Sequence, residues 1–234
     1  MKPDIAGLKW ELKGHPFFGS LTEGDFDSLL SRARPAVYKA RAQIFAQGAK
    51  SDSLFIILSG RIKIAAYSGS GAETVLTFMG AGDILGEMGV FSGAPRSAAA
   101  IALEETRALQ LSRLDVLGFL ERNPSAALHV IATLSERLRQ TNQLVEEIAN
   151  LPAAQRLARV LLRLAEHYGK PGDGGEIRID MKLSQGNLGA HAGLKRENVN
   201  RQLRQWEAEG VLAQDGGYIT LIQLDQLRRL IADD

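Results

Sequence analysis

The sequence predicts an α+β chain, and three observations carry that prediction. Short apolar runs broken by glycine turns fill the first half. One long amphipathic stretch with a seven-residue repeat follows. Two short helical segments around a glycine, then a hairpin, close the chain. Residues 2–34 read as short helices around Phe17, Phe18, Leu21, Phe26, Leu29 and Leu30. Between residues 35 and 113 the apolar runs are 54–58, 62–66, 75–78, 98–103 and 109–111. Ser59-Gly60, Ser68-Gly69-Ser70-Gly71 and Gly82-Asp83 separate them. Turn signals about 8–12 residues apart mark a compact β-barrel or sandwich. From Leu114 onward the chain reads as helical, with a short strand pair near its end.

The long stretch begins at Pro124, with Asn123 placed to cap it. Ala127, Ile131, Leu134, Leu138, Thr141, Val145 and Ile148 are spaced alternately by four and three, which is a heptad seam. Polar rows run beside it (Glu136, Arg139, Gln143, Glu146). So narrow a seam buries itself best against a second helix, so a parallel homodimer is expected. Thr141, followed by Asn142, breaks the apolar pattern. Taken alone, it reads as a polar seam residue that sets register or oligomer state. Asn150-Leu151-Pro152 then stops or kinks the helix and reads as a hinge.

Composition narrows the function classes. The chain has 234 residues, 45% of them hydrophobic, so its core needs no staple. Cysteine is absent, which excludes disulfides, Cys-ligated zinc or iron–sulfur clusters and a thiol nucleophile. No apolar run is long enough to span a membrane, and the first residues lack the apolar region of a secretory leader, so a cytoplasmic protein is expected. Formal net charge is only +1, so any basic patch must be local. No metal-ligand spacing and no nucleophile–base pair is present, so no metal and no enzyme activity are expected.

Residues 82–98 read GDILGEMGVFSGAPRSA. A bound phosphate asks for close backbone approach, which Gly86 and Ala98 permit. It also asks for a guanidinium, Arg96, and a second donor, Ser97. Glu87 can accept from a ribose hydroxyl, as acidic residues do in dinucleotide sites. Each piece alone has a plain explanation, such as a turn or a surface ion pair. Neither a P-loop nor a G-x-G-x-x-G spacing is present. The combination resembles the cyclic-nucleotide cassette of the catabolite-activator (CRP/FNR) family, whose pattern is Gly-Glu-hydrophobic-small, a short loop, then Arg-Ser/Thr-Ala. The resemblance implies a β-roll (jelly-roll-like) domain in which Glu87 holds the ribose 2′-hydroxyl and Arg96 and Ser97 hold the cyclic phosphate. Gly86, Met88 and Ala98 complete the cassette.

The run Arg137-Leu138-Arg139-Gln140-Thr141-Asn142 resembles the dimerisation helix of the same family. That likeness implies that Thr141 faces the purine, that Asn142 comes from the partner subunit, and that Arg137 supports Glu87. Asn142 departs from the family's usual Ser. Cyclic AMP is the expected effector, with cyclic GMP the other choice. The FNR branch's cluster cysteines are absent, and His15, His129, His167 and His191 show no haem-ligand spacing.

Residues 182–210 read KLSQGNLGAHAGLKRENVNRQLRQWEAEG. Ser184 can cap a first helix, Gly193 can turn, and a second helix follows from Lys195 with Val199, Leu203 and Trp206 inward. This is the helix-turn-helix pattern. Arg196, Glu197, Asn200, Arg201 and Arg204 are left outward. From Lys195 through Arg204 there are four basic residues and one acidic. A solvated helix face explains many such runs. After this turn, however, Arg can read guanine and a carboxylate can accept from cytosine N4. Arg196-Glu197-x-x-x-Arg201 resembles the family's recognition helix. It implies guanine contacts for Arg196 and Arg201, a cytosine contact for Glu197, and phosphate contact for Ser184. The implied target is duplex DNA carrying a TGTGA-like inverted repeat, with RNA polymerase as a further partner. Residues 210–221 read as a β-wing turning at Gly216-Gly217. The expected division is 1–123 for the nucleotide-binding domain, 124–150 for the dimerisation helix and 151–234 for the winged helix-turn-helix. The expected function is allosteric transcription regulation. The alternative is a constitutive or other-ligand regulator whose cassette does not work.

Overall fold

A computed structural model describes residues 22–232 and divides into two compact units, residues 1–141 and 142–234. Phe17, Phe18 and Leu21 lie outside the described residues. In the first unit, helix α1 (Glu23–Ser31) is capped by Thr22, whose hydroxyl accepts from the Asp25 N–H. Its buried face is Phe26, Leu29 and Leu30. Then come strands β1 (Arg34–Tyr38), β2 (Gln43–Phe45), β3 (Ser53–Ser59), β4 (Ile62–Tyr67), β5 (Glu73–Met79) and β6 (Ile84–Leu85). Helix α2 (Glu87–Ser92), strands β7 (Ala99–Ala102) and β8 (Thr106–Ser112), and helix α3 (Arg113–Arg122) follow.

The strands form two four-stranded sheets, ordered β1-β8-β3-β6 and β2-β7-β4-β5, with antiparallel pairing. Alternation along β3 explains the layering, because successive side chains point to opposite faces. Phe55 and Ile57 enter one core with Ile62, Met79, Leu85 and Ala100. Leu54 and Ile56 enter a second core with Phe26, Leu30, Val90 and Phe119 from the helices. The N-terminal half is therefore the β-roll expected from the sequence, with helices packed on one sheet.

Three side chains, Lys63, Tyr67 and Glu73, pin the β4–β5 hairpin. Lys63 Nζ lies 2.6 Å from Glu73 Oε1, and the Tyr67 hydroxyl donates to the same oxygen at 2.8 Å. Burial, then the Glu73 hydrogen bond and charge, push the Tyr67 phenol from 10.0 up to about 12. Burial alone would raise Glu73, but hydrogen bonds from Lys63 and Tyr67 outweigh it and hold that carboxyl below its usual range. The raised phenol contributes stability that is complete below pH 10 and is lost as pH rises toward about 12. The lowered carboxyl contributes stability that is lost as pH falls through its depressed value. Titration of tyrosinate absorbance should show a step near 12 that disappears in Tyr67→Phe; an unchanged titration in that variant would contradict the pairing.

Helix α4 (Pro124–Asn150) runs 27 residues. Asn123 does not cap it, contrary to expectation. Its amide nitrogen donates to Phe119 O at 3.0 Å, because the residue closes α3 and serves that helix's orphan carbonyl instead. The apolar stripe is present and exposed at Ile131, Leu138, Val145 and Ile148. At its N-terminal end the exposed residue is Leu128 (67% exposed) rather than the half-buried Ala127. One residue of helix rotates a side chain by about 100°, enough to exchange the two.

In the second unit, the last turns of α4 precede α5 (Ala153–Tyr168), β9 (Gly169–Pro171) and β10 (Ile177–Ile179). Then come α6 (Gln185–Ala192), α7 (Arg196–Ala208), β11 (Leu212–Asp215), β12 (Tyr218–Leu221) and α8 (Leu224–Ala232). Leu157, Leu161, Val199, Leu203 and Trp206 are buried. The buried Glu147 carboxylate meets Arg163 at 2.6 Å and Arg159 at 3.6 Å, which fastens the end of α4 to α5. The wing is the β11–β12 hairpin with Gly216 and Gly217 both at positive φ, as a two-residue primed turn requires. It belongs to a four-stranded sheet, β11-β12-β10-β9, whose last two strands the sequence does not announce.

Candidate functional site

The cleft of the first unit is built around the turn into α2. Gly86 caps that helix at φ 84°, a left-handed conformation. A Cβ there would lie 2.2 Å from Arg96 Nη1, so glycine is required by both backbone and space. Arg96 is 4% exposed. Its Nη1 donates to Gly86 O at 2.7 Å and its Nη2 to Ser53 O at 2.5 Å. The guanidinium sits 4.2 Å from the centroid of the Phe45 ring, a cation–π contact. Its Nε is buried with no hydrogen-bond partner. Burial draws this guanidinium below its ordinary value, and the Asp52 and Glu87 carboxylates pull the other way.

Glu87 is 5% exposed. Arg137 on α4 donates to its Oε1 and, through Nη2, to Ile84 O at 2.5 Å. The expected support of Glu87 by Arg137 is therefore present as an ion pair. One turn after Arg137 on α4, the Thr141 hydroxyl donates to the Arg137 carbonyl at 2.9 Å. That bond leaves the Thr141 oxygen able to accept. Ser97 Oγ donates weakly to Met88 Sδ at 3.8 Å.

Gly86, Glu87, Met88, Arg96, Ser97, Ala98, Arg137 and Thr141 all line one cleft of about 140 Å³. Asn142 does not line it; this residue is exposed and belongs to the second unit. Walls not singled out from the sequence complete the cleft: Phe45, Ile64, Leu76, Met79 and Leu85, with Thr77 and Gln140. Alternation along β4 and β5 could have placed some of these inward, but not in this cleft. The lining thus combines the charged Arg96, Glu87 and Arg137, the hydroxyls of Ser97 and Thr141, and apolar side chains against which a flat ring could lie.

In the second unit, Ser184 Oγ accepts from the Asn187 N–H at 3.0 Å, so it is the α6 cap that its position implies. Gly193 turns the chain at φ 64°. Lys195 is the N-cap of α7 without a side-chain bond, so the helix starts one residue later than Lys195. Burial of Val199, Leu203 and Trp206 leaves Arg196, Glu197, Arg201 and Arg204 exposed together. Arg201 Nη2 donates to Asn198 Oδ1 at 3.2 Å, one turn back on its own helix. Asn200 is only half-exposed, and its Oδ1 accepts from Gln185 Nε2 at 3.3 Å. Neither Asn198 nor Gln185 is apparent as a partner in the sequence. Among the described residues no cluster of His, Asp or Glu could hold a metal ion, and no helix is long and apolar enough to cross a membrane.

Comparisons with known proteins agree with this arrangement. A family described as cyclic nucleotide-binding domain matches residues 35–123, and one described as Crp-like helix-turn-helix domain matches residues 155–230. The chain is 32% identical over 201 residues to the cyclic AMP receptor protein of Thermus thermophilus, covering 86% of this chain and 89% of that one. It is 29% identical over 202 residues to the CRP-like cAMP-activated global transcriptional regulator of Mycobacterium tuberculosis, covering 86% and 90%. The solved structure of FixK2 from Bradyrhizobium japonicum aligns with a TM-score of 0.76 at 22% identity, over 86% of this chain and 98% of that one.

Proposed function

Since this chain belongs to the CRP/FNR family of transcription regulators, we propose that it is a homodimeric, cyclic-AMP-responsive regulator working in the cytoplasm. The observation that carries the reading is the cleft in which buried Arg96 and Glu87 stand beside apolar walls under Thr141. Arg96 and Ser97 donate to the cyclic phosphate, and Glu87 accepts from the ribose 2′-hydroxyl. The Thr141 oxygen, its own proton held by the Arg137 carbonyl, accepts from the exocyclic amine of adenine. Two copies join along the exposed stripe through Leu138 and Val145, and Asn142 of each reaches the other's base. Residues 1–123 hold the nucleotide, 124–150 dimerise and 151–234 read DNA.

The dimer places its α7 helices in successive major grooves of a TGTGA-like inverted repeat, about 34 Å apart. Arg196 and Arg201 contact guanines, Glu197 a cytosine, and Lys195, Ser184 and Arg204 the phosphates. Ligand shifts a pre-existing equilibrium toward this arrangement, and near-complete reversal needs a preference of about 5.5 kcal/mol. RNA polymerase is the partner downstream. A second reading is a regulator that binds its operator without a nucleotide. The observation favouring it is that two of the five Arg96 donors are already turned to Gly86 O and Ser53 O.

Calorimetric titration with cyclic AMP and cyclic GMP, alone and with the operator duplex, separates the two. Cyclic AMP should bind, and duplex should tighten it by the same factor by which it tightens duplex. Operator binding with no nucleotide binding would establish the second reading instead.

A further inference from the structure

The contact between α6 and α7 carries more than packing. Asn200 lies one turn after Arg196 and beside Arg201, on the flank of the exposed basic face. Its side chain is not free to rotate as a lone surface amide would be. Gln185, the first residue of α6, donates through Nε2 to Asn200 Oδ1 at 3.3 Å. Such a bond between two half-exposed neutral amides adds little to stability. Its effect is directional: with Oδ1 turned toward α6, the Asn200 Nδ2 protons are the groups left for the groove. An asparagine with both ends available can pair bidentately with adenine, donating to N7 and accepting from N6. One with its oxygen engaged presents donors.

We propose that Gln185 sets the hydrogen-bonding polarity of Asn200, so that opposite that residue the protein selects a base edge carrying an acceptor and rejects cytosine. Guanine O6 and N7 and thymine O4 accept; cytosine offers only its N4 amine in the major groove. Gln185 is thus a positioning residue for specificity, and it acts through Asn200. The inference rests on α7 being the groove-reading helix of the proposed function.

The test uses the full-length protein with saturating cyclic AMP. Fluorescence anisotropy competition is run against inverted-repeat duplexes carrying each of the four bases at each half-site position. At one position, identified by its loss in Asn200→Ala, cytosine should be disfavoured about tenfold. Gln185→Glu can only accept, so the Asn200 amide should turn its nitrogen to the new carboxylate and its oxygen to the groove. Cytosine and adenine should then be favoured at that position. An acidic residue in a first helical turn is favourable, so the variant should fold. The added charge lowers affinity for all sequences alike and leaves base ratios unaffected. Asn200→Asp, which presents an acceptor without help, should reproduce the switch. Gln185→Glu combined with Asn200→Ala should show no preference there.

Base ratios unchanged by Gln185→Glu, or a switch that persists without Asn200, would overturn the inference while leaving the DNA-binding reading intact. Failure of the wild-type protein to prefer any inverted repeat would overturn both.

Discussion

Replacing Arg137 by alanine should lower the unfolding free energy of the first unit by about 3 kcal/mol, the lower end of the range for breaking a buried ion pair. The partner left behind is Glu87, whose side chain is 7% exposed, against 29% for Arg137. The penalty is therefore that of a buried carboxylate that loses its ion-pair donor and keeps only the charge of nearby Arg96, with Ile84 O also losing its donor. The exposed side of Arg137 keeps the cost from the upper end, because water can enter where the guanidinium stood. Differential scanning calorimetry should show the loss as a lower transition temperature. Adding Glu87→Gln should recover part of the stability, since the buried charge that lost its donor is gone, but none of the nucleotide response. Equal stability for the wild type and Arg137→Ala would mean that the ion pair is not formed in solution.

Arg96→Lys should weaken cyclic AMP binding by about 2–3 kcal/mol, roughly a hundredfold. The substitution keeps the charge and removes the fork. A single ammonium cannot bridge Gly86 O and Ser53 O, which Arg96 reaches with two different nitrogens, and still offer donors to a phosphate. The stack on Phe45 is also lost. Stability should fall by about 1–2 kcal/mol for the carbonyl left unpaired, less than the loss in binding. Calorimetry of ligand binding beside thermal unfolding separates the two. Ligand affinity retained in Arg96→Lys would show that charge alone suffices and that the buried geometry is incidental.

Much of the fold is legible along the chain because its strands are apolar runs between glycine turns. Strands β3, β4, β5 and β8 correspond to such runs. Strand β1 does not. It reads Arg-Pro-Ala-Val-Tyr, and Pro35 argues against a central strand. It forms at a sheet edge, where a missing N–H costs no ladder bond. Helix α2 is equally hidden, since EMGVFS has a glycine in its middle and low helix propensity. It forms because Val90 drops into the core and Arg113 Nε takes the Val90 carbonyl at 2.7 Å. Glu87, Arg96 and Ser97 in the cleft are legible because they lie within one short motif. Its walls come from separate strands, and period-two alternation tells inside from outside without saying which cavity is met. The inward bonds of Arg96 are not legible at all, because the Ser53 carbonyl is 43 residues away in sequence.

Arg137 and Leu138 are neighbours in the chain yet face opposite ways, one into the cleft and the other out at 62% exposed. If the chain works as proposed, the same turn of helix carries a contact for the effector and a contact for a second copy. Holding one face of that turn still makes the other face easier to engage, and linkage runs in both directions. On that reading, a cell that makes more of this protein needs less effector to occupy it. Its copy number would then act as a second input, read through Leu138, and dose–response curves taken at different expression levels should not superimpose.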